Sequence, residues 1–280
     1  MMRTALIQSA PFSIMGILNC TPDSFSDGGR YLAHEAAVAH GLAMCAEGVD
    51  VIDVGGESTR PGAEPVPVAV QEQRVVPVLR QLRERIPARV ALSIDTTSAQ
   101  VAAAALAAGA NWINDTSAGS DDPDMLPLAA AHGVPIVLMH RQGQPRDMQM
   151  NPQYDNVVAE VCAQLTARVA AALAAGVAPR QIALDPGLGF GKRFEHNWAL
   201  LAGLSELVAL GFPVVLGASR KRFLATVSDG AAPAALLSAT CATTALGVAA
   251  GVAVLRVHDV AANRHAAAVA WAVRQAAPAR

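Results

Sequence analysis

Eight apolar runs rich in β-branched residues recur along the chain at roughly even spacing, and this repetition restricts the fold more than any other feature. They are 13–20 (SIMGILNC), 49–56 (VDVIDVGG), 88–95 (ARVALSID) and 110–116 (ANWINDT), then 134–140 (VPIVLMH), 182–190 (IALDPGLGF), 213–219 (PVVLGAS) and 252–259 (VAVLRVHD). Their near-continuous apolar character, rather than strict alternation, indicates strands covered on both faces, as in parallel sheets. Helix-like segments separate them. Ser98 reads as an N-cap before residues 99–108, with Gly109 as the stop. Asp122-Pro123 reads as an N-cap followed by proline at the first helical position. Val158, Val161, Leu165, Ala172 and Leu173 form a stripe at helical spacing, closed by Gly176. Pro77 falls inside the helix-like segment 68–85 and is expected to kink or shorten it.

Strands alternating with helices in a chain of 280 residues predict one α/β domain, a single (β/α)8 TIM barrel spanning 1–280 with its core at about 14–276. An open doubly wound sheet is the alternative. That fold usually places a GxGxxG turn after an early strand, and no such turn follows the first runs. No Pro/Ser linker, low-complexity tail or shift in composition divides the chain.

Hydrophobic residues make up 52% and charged residues 16%, ample for a globular core. A formal charge of −2 gives no reason to expect nucleic acid or an anionic membrane as a partner. Any anion must therefore be held by a local site. Cys20, Cys45, Cys162 and Cys241 are scattered without ligand spacing, and read as buried thiols in a reducing, cytoplasmic compartment. Leu18-Asn19-Cys20 resembles a lipoprotein cleavage site only faintly, because Asn precedes the cysteine and Pro11 interrupts an upstream apolar core. Residues 230–255 carry no charge, yet Pro233, Ser238, three threonines, Gly247 and Gly251 suit a small-residue helix and a buried strand better than a membrane span. A soluble protein is expected.

Nearly every run ends in a reactive or hydrogen-bonding group. These are Asn19, Asp53 with Glu57-Ser-Thr-Arg60, Asp95, Asn114-Asp115, His140, Asp185, Ser219 through Lys221, and Arg256 with His258. A strand-end aspartate is commonly just a helix cap, but eight such ends would converge on the face where barrels of this type carry their active sites. Arg256 and His258, two apart on a strand, project to the same side and suit a phosphate clamp. The plainer alternative pairs Arg256 with a local acid. Asp95, Asn114, Asp185 and Lys221 together offer two carboxylates, an amide and an ammonium, a set able to read a flat heterocycle. Asp185 could grip an amino-pyrimidinone edge with two parallel bonds, and Asp185-Pro-Gly-Leu-Gly-Phe-Gly191 would let backbone approach a ligand closely.

The segments GILNCTPDSFSDGG, IDVGGESTRPGA, SIDT, IND, LDPGLGFGK, GASRKRF and RVHD, in this order, resemble the dihydropteroate synthase family over essentially the whole chain. That resemblance implies condensation of 6-hydroxymethyl-7,8-dihydropterin pyrophosphate with p-aminobenzoate, by an SN1-like route, to give dihydropteroate and pyrophosphate. It places the pterin among Asp95, Asn114, Met139, Asp185, Phe190, Lys221 and Arg256. Pyrophosphate falls to Asn19, Thr59, Arg256 and His258, with Mg2+ on Asn19. Phe25, Arg60, Pro61, Ser219 and Lys221 match positions shaping the p-aminobenzoate pocket, where sulfonamides compete. It also implies mobile loops after strands 1 and 2. The run of hydroxyls and acids after Asn19 then reads as a lid, in which Asp23 or Asp27 steadies a cationic pterin and joins Lys221 and Arg256 as catalytic.

Cys20 stands where valine is expected, a mild departure, while the intact Ser58-Thr-Arg-Pro-Gly62 points to a sulfonamide-sensitive housekeeping enzyme. Two other readings compete: a pterin-binding methyltransferase serving a corrinoid protein, and a non-catalytic pterin-binding paralogue. Neither needs the pyrophosphate set present here. The late small-residue-rich segments 234–250 and 260–276 suggest a homodimer, as in family members.

Overall fold

The computed structural model describes residues 11–21, 29–58 and 62–276, with backbone alone at 29–32. Each of the eight runs contains one strand, shorter than the run itself: β1 (Ser13–Asn19), β2 (Val51–Gly55), β3 (Ala91–Asp95), β4 (Trp112–Asp115), β5 (Ile136–Met139), β6 (Ile182–Asp185), β7 (Val215–Leu216) and β8 (Val254–Val257). Helices α1 (Gly29–Ala46), α2 (Val68–Arg85), α3 (Ala99–Ala107), α4 (Met125–His132) and α5 (Val157–Ala174) follow the first five strands. Two short helices, α6 (Phe194–Ala202) and α7 (Leu204–Val208), follow β6, and α8 (Leu237–Ala250) and α9 (Val260–Ala276) follow β7 and β8.

All strand pairs are parallel, in the order β6-β5-β4-β3-β2-β1-β8-β7. A parallel bridge between Leu184 and Val214, with Leu184 N donating to Pro213 O at 2.9 Å, joins the two outer strands. The sheet thus closes into the expected (β/α)8 barrel. Alternation along each strand divides the core in two. Met15, Val51, Trp112, Val137, Ala183, Val215 and Val254 fill the interior. Ile52, Val54, Leu92, Ile94, Ile113, Leu138, Leu184 and Leu255 face outward beneath the helices. Each fully buried side chain of this size contributes roughly 1.5–3 kcal/mol relative to exposure, so closure is driven from both layers.

Ser98 caps α3 as expected, accepting from Val101 N. Asp122 does not cap α4, which begins three residues later; its carboxylate instead accepts from Ala99 N at 2.7 Å and Asp124 N at 3.0 Å. Helix α2 runs past Pro77 without a break, because Val75, Val78, Leu79 and Leu82 bury both of its halves against the barrel. In α5 the buried stripe is Val157, Val161, Leu165, Val169 and Ala172, whereas Leu173 faces outward. This helix has the length and apolar character to cross a membrane, and in the barrel that stripe packs on the sheet.

Candidate active site

The inward positions beyond the apolar interior layer carry the polar groups. Counting in twos from Val51, Ala91, Trp112, Val137, Ala183, Val215 and Val254 reaches Asp53, Asp95, Asn114, Met139, Asp185, Gly217 and Arg256. Parity thus selects which strand-end residues point into the barrel mouth. Asp115 and His140, one residue out of phase, point away from it. Asp115 caps its own turn through Ser117 N at 2.8 Å and Gly119 N at 2.5 Å.

Arg256 occupies the middle of this ring. Its Nε donates to Asp53 Oδ2 and its Nη2 to Asp95 Oδ2, each at 2.7 Å. Asp53 Oδ2 also accepts from Asn114 Nδ2 at 2.9 Å. One guanidinium therefore serves two buried carboxylates. Burial works against its charge, but Asp53 and Asp95 more than offset that and hold Arg256 protonated. Burial raises Asp95 to about 7; Arg256 opposes the rise, and Asp53 reinforces it. The second oxygens of both acids, Asp53 Oδ1 and Asp95 Oδ1, are buried without a hydrogen-bond partner among the described residues. An orphaned carboxylate oxygen at a barrel mouth is an acceptor awaiting a donor.

Across the mouth, Asp185 Oδ1 accepts from Gly187 N at 2.6 Å, fixing the turn after β6. Lys221 Nζ donates to Leu188 O and lies 4.8 Å from the centre of the Phe190 ring. Burial lowers Lys221 to about 8, and Asp185 limits the fall. Burial raises Asp185, while Lys221 works to lower it. Gly217 leaves a gap between these groups: a Cβ there would stand 3.8 Å from Asp185 Oδ2 and 3.9 Å from Lys221 Nζ. Gly55 leaves another, 3.7 Å from Asn19 Oδ1 and 3.8 Å from Asp95 Oδ2. Among the described residues no cluster of three or more His, Cys, Asp or Glu offers a metal cage. An oxygen from Asn19 beside a carboxylate fits a hard cation that arrives already coordinated by a ligand's phosphates.

The anion clamp expected from Arg256 and His258 takes a different form. His258 lies just past β8, and its Nδ1 sits 2.9 Å from Ser219 Oγ. Arg256 turns instead to the two acids, the plainer of the two sequence readings. Asn19, Asp95, Asn114, Met139, Asp185, Phe190, Ser219, Lys221, Arg256 and His258 thus lie on β1, β3–β6 and β8 or on the loops that follow β6, β7 and β8. Phe25, Asp23, Asp27, Thr59, Arg60 and Pro61, together with most of the first of the two loops expected to move, lie outside the described residues.

Matches to known proteins cover the whole of this architecture. The pterin binding enzyme family matches residues 15–258. A dihydropteroate synthase of Mycobacterium leprae is 50% identical over 275 residues, 96% of each chain. The chain belongs to the dihydropteroate synthase family. Solved structures of the family agree: the Xanthomonas albilineans enzyme with 4-aminobenzoic acid is 46% identical, with a TM-score of 0.88 over 95% of this chain and 94% of that one. The Yersinia pestis dihydropteroate synthase in complex with a sulfonamide drug gives 0.90 at 38% identity, over 98% and 99%. Sequence reasoning did not single out Lys192, one of the largest fully buried side chains among the described residues.

Proposed function

We propose that the chain condenses 6-hydroxymethyl-7,8-dihydropterin diphosphate with p-aminobenzoate, giving 7,8-dihydropteroate and diphosphate. One observation carries this reading: Asp185 and Lys221 flank the gap at Gly217, and Asp95 and Asn114 end neighbouring strands at the same mouth, offering acceptors and donors to a flat ring's edge. Asp185 takes the amino-pyrimidinone N–H groups, Lys221 and Asn114 donate to ring acceptors, and the Asp95 oxygen without a partner takes a further N–H. Met139 and Phe190 wall the ring, and Arg256 lies against it.

In the reaction the bond from the pterin methylene carbon to diphosphate oxygen breaks, and its electron pair leaves with the diphosphate. The aniline nitrogen of p-aminobenzoate forms the new C–N bond and releases a proton. No protein nucleophile is needed. Catalysis then amounts to placing charge ahead of the reaction: Arg256 and Lys221 supply fixed positive charge, and His258 and Thr59 supply donors for diphosphate oxygens. Mg2+ bound through Asn19 would neutralise charge on the departing diphosphate. Ser219 and Lys221, with Phe25, Arg60 and Pro61, shape the p-aminobenzoate site, where sulfonamides compete. Asp23 or Asp27 steadies positive charge on the pterin. The four free cysteines suit a reducing cytoplasm.

Calorimetry and diphosphate release together test this. Pterin diphosphate should bind in the presence of Mg2+, with p-aminobenzoate triggering diphosphate release. Chelation should abolish the contribution of the diphosphate and spare binding of the unphosphorylated pterin. Affinity should weaken as pH falls through about 7, where Asp95 takes up a proton and stops accepting. Absence of pterin binding at pH 8 would overturn the assignment. Turnover only with a methyl donor and a corrinoid acceptor would move it to the methyltransferases.

Assembly follows as part of the same reading. Helices α8 and α9 pack on each other, yet Leu246, Val269 and Val273 stay 58–67% exposed. We propose a homodimer formed through these helices. Light scattering should give twice 28.8 kDa at micromolar concentration, and Leu246→Glu should shift it toward the single-chain mass.

A further inference from the structure

Lys192 and Lys221 are the only lysines in the chain; every other basic side chain apart from histidine is arginine. Arginine's planar fork and lysine's compact three-donor ammonium are not interchangeable. Both positions that keep the ammonium lie on the loops beside the candidate pocket. Lys221 faces the pocket, whereas Lys192 is buried behind it, 2% exposed.

Lys192 Nζ lies 2.8 Å from His140 Nδ1, 2.9 Å from Gly187 O and 3.0 Å from Phe190 O, with His140 O further away at 3.4 Å. Three close acceptors match the three protons of an ammonium. Lys192 forms no ion pair among the described residues. Burial and Lys221 drive it well below the ordinary lysine range, opposed by Asp185, and burial with the Lys192 charge holds His140 down at about 3. A buried lysine without a carboxylate is costly, so its retention calls for a reason.

The loop it holds supplies one. Residues 187–191 press against the end of β5: a Cβ at Gly187 would collide with the His140 carbonyl, and one at Gly191 with the Gln142 carbonyl. Lys192 turns back into this loop and ties the carbonyls of residues 187 and 190 to His140. From the same stretch, Leu188 O accepts from Lys221 and the Phe190 ring lies beneath its ammonium. Other contacts hold the loop elsewhere, with Gln149 on Gly189 O, Asn197 on Gly189 N and Tyr154 on Gly191 O. They leave the Phe190 carbonyl to Lys192, which shares the Gly187 carbonyl with Phe190 N.

We propose that Lys192 is a positioning residue: it clamps the loop after β6 to His140 at the end of β5, so that Leu188 O and Phe190 fix the ammonium of Lys221 toward the pterin. This rests on the pterin reading given above, and the test separates the two.

Protein grown on 13Cε-lysine shows two lysine signals, and Lys192→Met leaves that of Lys221 alone. In the variant the Lys221 signal should titrate closer to free lysine than in the parent, where it titrates near 8. The dissociation constant for 6-hydroxymethylpterin should rise at least tenfold. Leu82→Ala, buried under α2 and remote from the loop, supplies a comparably destabilised control in which neither quantity moves. Lys221 titrating as in the parent, with pterin affinity within twofold, overturns the proposal. Failure of the parent to bind pterin overturns the functional reading instead, and the titration still decides the role of Lys192. If Lys192→Met does not fold, His140→Leu removes the clamp's far anchor and is judged by the same two measurements.

Discussion

Arg256→Met is expected to lower the melting temperature by about 8–15 °C at pH 8, and by clearly less at pH 5. Removing one partner of a buried ion pair typically costs about 3–5 kcal/mol, because the charge left behind is unpaired. Here two charges are left: Asp53 is fully buried and Asp95 nearly so, and Arg256 reaches both. In a barrel of this size each kcal/mol shifts the midpoint by roughly 2–4 °C.

The pH dependence follows from Asp95. Its folded-state pKa of about 7 lies above the ordinary aspartate value of 3.8, so between these the native protein holds a proton that the unfolded chain has released. The stability this contributes is complete below about 4 and is lost as pH rises through 7. Arg256 is the partner that restrains the rise. Without it Asp95 titrates higher still, so at pH 8 the folded variant must either bury an unpaired carboxylate or take up a proton, and either costs stability. At pH 5 Asp95 is protonated in both proteins and the difference narrows. Thermal melts at the two pH values check this; an equal shift at both would show that Arg256 acts by packing alone.

Much of this site is legible in the sequence because a parallel barrel writes its strands as apolar runs and ends them at the mouth. Asn19, Asp95, Asn114, Asp185 and Arg256 could be placed there by position alone. Parity is harder to read. Asn114 and Asp115 are adjacent, as are Met139 and His140, and which of each pair faces inward depends on how the sheet closes. Contacts across the barrel are harder again: Arg256 meets Asp53 and Asp95 from 203 and 161 residues away. Sequence reasoning could offer Arg256 a local acid as partner, but not two acids on distant strands that it bridges. Lys192 had a signal that composition could have given, since a chain that otherwise uses arginine keeps lysine only there and at Lys221.

Asp185→Asn is expected to weaken pterin binding by about 10²–10³-fold while the fold is largely retained. The substitution preserves volume and leaves an oxygen to accept from Gly187 N, the bond that sets the turn. It replaces the other acceptor with an N–H pair facing the ligand's own donors. Hydrogen bonds to a charged acceptor are worth about 1.5–3 kcal/mol each, and two at the lower end of that scale, about 3–4 kcal/mol together, give the stated loss. The change also reaches Lys221. Asp185 is the strongest influence keeping that ammonium protonated, and without it Lys221, already down at about 8, falls further and is mostly neutral at pH 8. Calorimetry with 6-hydroxymethylpterin at pH 8 measures the combined loss, and a melt confirms folding. A folded variant that binds within threefold of the parent would place the pterin's edge elsewhere in the mouth, at the Asp53 and Asp95 oxygens that lack a partner among the described residues.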